Sequence, residues 1–225
     1  MPRDMNIAAL IPVKGFVHAK QRLAPLVNAA ERALLAEAML KDTLQQTLAA
    51  PALAATFVVT SDPQAGAIAS SFGARIIWQE AERGETNAVD FARTQLKQQG
   101  LSTTLILPAD IPLLQSADIE LLLAYPLLSP GALLVPSHDR LGTNALLLSP
   151  PDIIQLRFGY DSFAYHLQQV ALRGLTQRVL ENDRIALDID EPSDLMRLIK
   201  LAQSGQTRRC LLELKIAERT IEQRS

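Results

Sequence analysis

An apolar run ends on a carboxylate in the segment TTLILPADIPLL, residues 103–114. Asp110 closes that run, and Pro108 and Pro112 stiffen the turn around it. A carboxylate held there can bind Mg²⁺, because hard cations that serve phosphate chemistry are usually held by one or two carboxylates and by water and substrate oxygens. The alternative is that Asp110 caps the following helix, although Ser116 is better placed for that role. The residue types favour Asp110 as a metal ligand.

Two more carboxylates close a second apolar run, RIALDID at 184–190. Read as a strand, this run is expected to turn Asp188 and Asp190 toward opposite faces, so that only one of them shares a metal ion with Asp110. Which of the two binds the metal stays open. Asp194 falls in the first turn of the next predicted helix, where a negative charge suits the helix dipole, and we interpret it as structural.

Positive charge is concentrated after the first apolar run, within the segment IPVKGFVHAKQRLAPL at 11–26. It holds Lys14, His18, Lys20 and Arg22. A lysine supplies a compact charge and an arginine a planar fork for phosphate oxygens, so this mixture suits a triphosphate and a departing pyrophosphate. The alternative is a solvated basic loop.

A third region combines hydroxyl groups with small residues. Thr143 precedes an apolar run, and Gly159, Ser162 and His166 surround a turn that leads into a helix. Hydroxyls and free amides at a helix N-terminus can bind the phosphate or carboxylate of an acceptor. His166 is read equally as a packed helix histidine or as a ligand contact, and Gly159 equally as a turn glycine that needs positive φ.

Composition excludes several classes of function. The chain has 225 residues and a net charge of −2, which gives no general attraction for nucleic acid or anionic lipid. The single cysteine, Cys210, excludes an intramolecular disulfide framework and favours the cytoplasm. The apolar run at 7–13 is too short for a signal core or a membrane span, so no membrane association is expected.

Glycine spacing excludes the familiar nucleotide-binding loops. No two of the ten glycines are closer than seven residues, which forbids both G-x-G-x-x-G and G-x-x-x-x-G-K. The G-x-S-x-G elbow of hydrolases is also missing. Any nucleotide must be held by another arrangement.

Apolar runs and helical patterns alternate along the chain. The runs are continuous, as in parallel strands that helices cover on both faces, so we predict a three-layer α/β (αβα) domain over 1–203 with a mainly parallel sheet. Ligands of such sheets bind beyond the carboxyl ends of the strands. The tail at 204–225 is expected to form either a frayed surface helix or a dimer contact. Strands are predicted at 7–13, 56–61, 74–79, 103–110, 131–136, 144–149 and 184–190, and helices at 28–48, 63–72, 86–99, 116–125, 163–173 and 192–203.

At these segments the sequence closely resembles the 2-phospho-L-lactate or phosphoenolpyruvate guanylyltransferase family of coenzyme F(420) biosynthesis, over roughly residues 5–200. The resemblance implies a nucleotide-diphospho-sugar-transferase-like fold, GTP as donor, Mg²⁺ dependence, and transfer of GMP to a small phosphorylated acid with release of pyrophosphate. The motifs that carry it are IPVKGFVHAKQRLAP at 11–25, ERALLAEAMLKDTL at 31–44, VVTSD at 58–62, LPADIPLL at 107–114, GTNALLLSPPD at 142–152, FGYDSFAYHL at 158–167 and LDIDEPSDL at 187–195.

By matching positions, the resemblance implies a role for each candidate. Lys14, Lys20 and Arg22 would hold the triphosphate, Asp110 with Asp188 or Asp190 would hold the metal, and Thr143, Gly159 and Ser162 would hold the acceptor.

The chain departs from the family pattern in two places. The usual Gly-Leu-Asn-Ala is one residue longer here, at residues 84–88, which bears on the nucleotide contact implied for Asn87. The usual Gly-Pro-Gly-Ser turn is changed at Tyr160 and Asp161, where the choice of acceptor could differ.

Two other functions remain open from the sequence. Asp188-Ile189-Asp190 imitates the D-x-D metal site of nucleotide-sugar glycosyltransferases, which release a nucleoside diphosphate rather than pyrophosphate. The chain could also be a catalytically silent nucleotide-binding protein that uses its tail as a contact helix. The sequence does not identify the acceptor, because phosphoenolpyruvate, 2-phospho-L-lactate and 3-phospho-D-glycerate all carry a phosphate and a carboxylate.

Overall fold

A seven-stranded sheet forms the middle layer. The computed structural model describes residues 6–127 and 129–222. Their strands are β1 (Ile7–Pro12), β2 (Ala55–Thr60), β3 (Arg75–Trp78), β4 (Thr103–Ile106), β5 (Gly131–Pro136), β6 (Thr143–Ser149) and β7 (Thr176–Val179). The order is β3-β2-β1-β4-β6-β5-β7, and only β6 runs antiparallel to its neighbours β4 and β5. The prediction of a mainly parallel sheet is confirmed.

Helices fall close to the predicted segments. The first begins at a capping box, in which Asn28 Oδ1 accepts from the Glu31 amide at 3.0 Å and Glu31 Oε2 accepts from the Asn28 amide at 2.9 Å. The described helices are α1 (Ala29–Leu48), α2 (Pro63–Phe72), α3 (Glu85–Gln98), α4 (Ser116–Ala124), α5 (Ser162–Leu172), α6 (Asp183–Ala186), α7 (Pro192–Leu201), α8 (Gln206–Glu213) and α9 (Ile216–Glu222).

The core lies on both faces of the sheet. Leu10 and Ile11 are neighbours on β1, and both are fully buried. Leu10 packs in a cluster with Val89 of α3, whereas Ile11 packs in another with Leu40 of α1. Since successive strand residues point to opposite faces, helices cover the sheet on both sides. The three-layer prediction is confirmed.

The predicted strand at 184–190 is wrong. Asn182 caps the short helix α6 by accepting from the amides of Arg184 and Ile185, and an extended segment without strand pairing follows. The place beside β5 is taken instead by β7, at residues 176–179. The sequence did not show β7 because its four residues, TQRV, are only partly buried and carry no apolar run.

In its described part, residues 204–222, the tail is not a frayed surface helix. Asp42 of α1 accepts from the amides of Gln206 and Thr207, at 2.7 and 2.8 Å, and so caps α8. Leu211 and Ile216 are buried in a cluster that includes residues of α1. Apolar burial and a charged cap therefore dock α8 and α9 onto the domain, and the dimer contact stays a prediction.

Candidate active site

The predicted chemical groups meet at one edge of the sheet. Lys14 follows the end of β1, and Asp110 follows the end of its parallel neighbour β4. Because β6 is antiparallel to β4, the start of β6, with Thr143, lies at the same edge. This is the edge at which α/β sheets bind ligands.

Lys20 is the buried centre of the basic segment. It stands between two short 3₁₀ helices, Phe16–His18 and Gln21–Leu23, in the left-handed conformation at φ 52°. Its side chain is 10% exposed, and Nζ donates to Asp110 Oδ2 and, at 2.9 Å, to Asp190 Oδ1. Burial alone would lower the pKa of Lys20, but the two carboxylates outweigh it and raise that pKa above its ordinary value.

The other two predicted cations remain exposed beside Lys20. The side chain of Lys14 is 57% exposed and lies 3.7 Å from Glu85, and that of Arg22 is 72% exposed and lies 3.8 Å from Asp190. The side chain of His18 lies outside the described residues. The segment is therefore more than a solvated loop, because it has one buried cation and two that are free to meet a polyanion.

Asp62, which the sequence analysis did not single out for the site, anchors this segment. Its Oδ2 accepts from the Phe16 amide at 3.0 Å, and its Oδ1 caps α2 through the amides of Gln64 and Ala65. One carboxylate thus ties the loop after β1 to the end of β2. The aspartate just before Pro63 predicts the cap, but no local pattern predicts the contact with Phe16.

The carboxylates of Asp188 and Asp190 both lie near Asp110, so the expectation that they face opposite ways is wrong. In extended chain, side chains two residues apart lie on the same side. Leu187 and Ile189 are buried on the other side. The Ile189 amide donates to the Asp110 carbonyl oxygen at 3.1 Å, which holds the two segments together.

Asn144 positions Asp188. Its side-chain amide, which is buried at the start of β6, donates to Asp188 Oδ1 at 2.9 Å and to the carbonyl oxygens of Ile185 and Ala186. Burial, together with the charges of Asp110 and Asp190, raises the pKa of Asp188 to about 6. No local pattern in the sequence pointed to a role for Asn144.

The raised pKa gives an expected result for Asp188→Asn. The folded protein disfavours the charge on Asp188, and ionisation of this carboxyl therefore lowers the stability of the fold. The loss of stability is absent below the unfolded pKa, near 3.8, and complete above the folded pKa, near 6. An asparagine keeps an oxygen that accepts from Asn144. In the absence of divalent cations we expect the variant to melt at least about 2 °C above wild type near neutral pH, with no difference at about pH 4. Melting curves across this range check it, and a difference independent of pH would contradict it.

The donor set fits a divalent cation. Asp110 Oδ1 is buried without a hydrogen-bond partner, which is the state of a carboxylate oxygen kept for a further ligand. Within residues 6–127 and 129–222, no three acidic, histidine or cysteine side chains are already arranged as a metal cage. The ammonium group of Lys20 lies between Asp110 and Asp190 instead, where its positive charge balances the charges of the two carboxylates.

The predicted acceptor residues also meet. Thr143 donates from its amide to Ser162 Oγ at 3.0 Å, and its hydroxyl lies 3.0 Å from His166 Nδ1. Gly159 has φ +103°, and its carbonyl oxygen accepts from the Ser162 amide at 3.2 Å. Positive φ explains a glycine there. Asp194 is structural as predicted: its Oδ2 accepts from the amides just before α7.

Comparison with known proteins decides the family. The model of the family described as "Guanylyl transferase CofC like" matches residues 7–224. This chain belongs to that family. It is 38% identical to a phosphoenolpyruvate guanylyltransferase of Rubrobacter xylanophilus, over 86% of this chain and 94% of the relative. It is 32% identical to a 2-phospho-L-lactate guanylyltransferase of Methanothermobacter thermautotrophicus, over 94% and 92%. A 3-phospho-D-glycerate guanylyltransferase of Colwellia psychrerythraea is 34% identical, over 88% and 93%.

The fold of this guanylyltransferase-family member has a solved counterpart. A crystal structure titled as a putative nucleotide-diphospho-sugar transferase from Desulfovibrio desulfuricans aligns with a TM-score of 0.75 at 19% identity, over 95% of this chain and 98% of the other. The predicted fold class is confirmed, and the chain is a nucleotidyltransferase. The family match also extends through the tail, beyond the roughly 5–200 seen in the motifs. No helix in the described part of the chain is long and apolar enough to cross a membrane.

The one-residue insertion within residues 84–88 places a carboxylate at the candidate active site. Glu85, in the first turn of α3, is partly buried and faces Lys14. Burial raises its pKa, with the charge of Lys14 opposing and that of Asp110 adding. Asn87 is exposed and donates from its side chain to the Arg83 carbonyl oxygen at 2.6 Å. The sequence showed the insertion but not that Glu85 would be the residue facing the basic segment.

Proposed function

We propose that the chain transfers GMP from GTP to the phosphate of a small phosphorylated carboxylic acid and releases pyrophosphate. The observation that carries the proposal is the juxtaposition of three cations, Lys14, Lys20 and Arg22, with carboxylates at the ligand-binding edge of the sheet. The names of the relatives support GTP as the donor and a phosphorylated acid as the acceptor.

The transfer asks little covalent chemistry of the protein. An oxygen of the acceptor's phosphate, already ionised, bonds to the α-phosphorus of GTP, and the bond from that phosphorus to the bridging oxygen of the β-phosphate breaks. Lys14 and Arg22, being exposed, bind the triphosphate, and Lys20 donates to the oxygens that gain charge as pyrophosphate departs. Placing the reactants in line supplies much of the remaining rate.

Mg²⁺ is part of this proposal. Asp110 would hold it through its unpartnered Oδ1, with Asp188 or Asp190 as the second ligand. When bound, the metal neutralises charge on the phosphates. Lys20 then gives up at least one of its carboxylate contacts and turns its ammonium toward the triphosphate.

The acceptor is proposed to bind at Thr143, Gly159 and Ser162. Thr143 and Ser162 belong to a buried cluster of donors at the start of β6, which lies at the same edge of the sheet as Asp110. The contact of Asn87 with the base of the nucleotide remains a prediction.

A parallel assay tests the function. Phosphoenolpyruvate, 2-phospho-L-lactate and 3-phospho-D-glycerate are each incubated with GTP and Mg²⁺, and pyrophosphate release is measured. We expect at least one acid to support release that depends on both substrates. Release of a nucleoside diphosphate with a sugar acceptor would favour the glycosyltransferase instead. Binding of GTP without turnover on any of the acids would favour a silent nucleotide-binding protein.

A further inference from the structure

His166 is fully buried on α5, yet both its ring nitrogens are engaged. Nε2 lies 3.2 Å from the backbone nitrogen of Arg157, and Nδ1 lies 3.0 Å from Thr143 Oγ1. A backbone N–H can only donate, so Nε2 must accept and carries no proton. The ring packs edge-on against Phe158 and Tyr165, which fixes its plane.

The remaining proton of the neutral ring is therefore on Nδ1. Burial, with the charges of Arg93 and Arg157, lowers the pKa of His166 to about 4, so the ring is neutral near pH 7. Nδ1–H donates to Thr143 Oγ1, and the hydroxyl of Ser162 approaches the same oxygen at 3.5 Å.

Two donors on the Thr143 oxygen fix the role of its own proton. A hydroxyl has two acceptor sites and one proton, and here both acceptor sites are used from within the protein. The Thr143 amide is also committed, because it donates to Ser162 Oγ at 3.0 Å. The Thr143 O–H is left as a donor for a group outside this network.

We propose that His166 is a positioning residue, which holds the Thr143 hydroxyl as a hydrogen-bond donor to the anionic end of the acceptor. The inference rests on the proposed function for its ligand, a phosphorylated carboxylic acid. A neutral histidine in one tautomer sets the direction of the hydroxyl without exchanging a proton with the substrate. A threonine free to rotate would present a lone pair to the anion as often as a proton.

Two substitutions separate this role from packing. In His166→Asn the amide nitrogen can take the place of Nδ1 and donate to Thr143, whereas in His166→Gln the amide oxygen can take the place of Nε2 and accept from the Arg157 amide. With phosphoenolpyruvate as the probe, we expect His166→Gln to raise the KM of the acid about 10-fold, the scale of one hydrogen bond to an anion, with the KM of GTP unchanged. His166→Asn should restore the KM of the acid to within about 3-fold of wild type. A parallel rise in both KM values, or equal behaviour of the two variants, would overturn the proposal.

A double-mutant cycle tests that His166 acts through Thr143. In a Thr143→Val background, His166→Gln should add no further rise in the KM of phosphoenolpyruvate. An undiminished additional rise would overturn the proposal. Thr94→Val, which removes an exposed hydroxyl that donates to the Asp90 carbonyl oxygen on α3, is the matched control and should leave both KM values unchanged.

One measurement is independent of turnover. NMR chemical shifts of the His166 ring nitrogens should show the Nδ1–H tautomer between about pH 5 and 8. An Nε2–H tautomer would overturn the proposal even in an active enzyme. If wild type transfers GMP to none of the three acids, the proposed function fails and, with it, the acceptor as the ligand of Thr143, whatever the tautomer.

Discussion

Asp110→Asn should lower the rate of GMP transfer at least about 100-fold and leave the fold intact. Asp110 Oδ1 is buried without a partner, and its proposed ligand is the metal, for which a neutral amide oxygen is a poor substitute. The fold should survive because Lys20 keeps its 2.9 Å contact with Asp190. Pyrophosphate release at increasing Mg²⁺, with a melting curve for each protein, measures both effects.

Asp152→Asn is the matched control for this substitution. Asp152 forms an exposed pair with Lys97 at 2.6 Å, on the surface of the domain, so its loss should change neither rate nor metal dependence. Kinetics like those of wild type for Asp110→Asn at limiting Mg²⁺ would discard Asp110 as a metal ligand.

Lys20→Ala should have opposite effects on metal binding and on turnover. Lys20 lies between Asp110 and Asp190, so its removal frees both carboxylates and should tighten the binding of Mg²⁺ measured without nucleotide. Turnover should nevertheless fall by about 10- to 100-fold, equivalent to roughly 1 to 3 kcal/mol, because the departing pyrophosphate loses a charged donor.

Calorimetry with Mg²⁺ alone and steady-state kinetics measure the two effects separately. Lys97→Ala, which removes a lysine from an exposed pair, should leave both quantities unchanged. Arg22→Ala should weaken GTP binding and change metal affinity less than Lys20→Ala, because Arg22 is exposed and 3.8 Å from Asp190. Weaker Mg²⁺ binding in Lys20→Ala would contradict the competition between the ammonium and the metal.

Local sequence patterns predicted much of the frame around this site. The continuous apolar runs predicted six of the seven described strands, because most of these strands are buried on both faces and such strands lack alternating polar residues. Helix α1 was predicted to begin at residue 28, next to its observed start at Ala29, because the capping box at its start is a local pattern. Strand β7 was missed, since it pairs at an edge and buries little.

The wrong predictions depended on contacts distant in the chain. The 184–190 segment has the composition of a strand, but Asn144, some 40 residues earlier, binds the carbonyl oxygens of Ile185 and Ala186. The tail is docked by Asp42, which caps α8 across 164 residues. Lys20 could be assigned to a charged site from its neighbours, but its position between Asp110 and Asp190 appears only in three dimensions.

The fate of the α-phosphorus tests the central claim most directly. GTP labelled at that atom is incubated with the protein, Mg²⁺ and phosphoenolpyruvate, and the products are separated. The account predicts that label moves into a guanylylated acid and that the pyrophosphate released is unlabelled. Label recovered only in GDP or GMP, with each of the three acids, would contradict it.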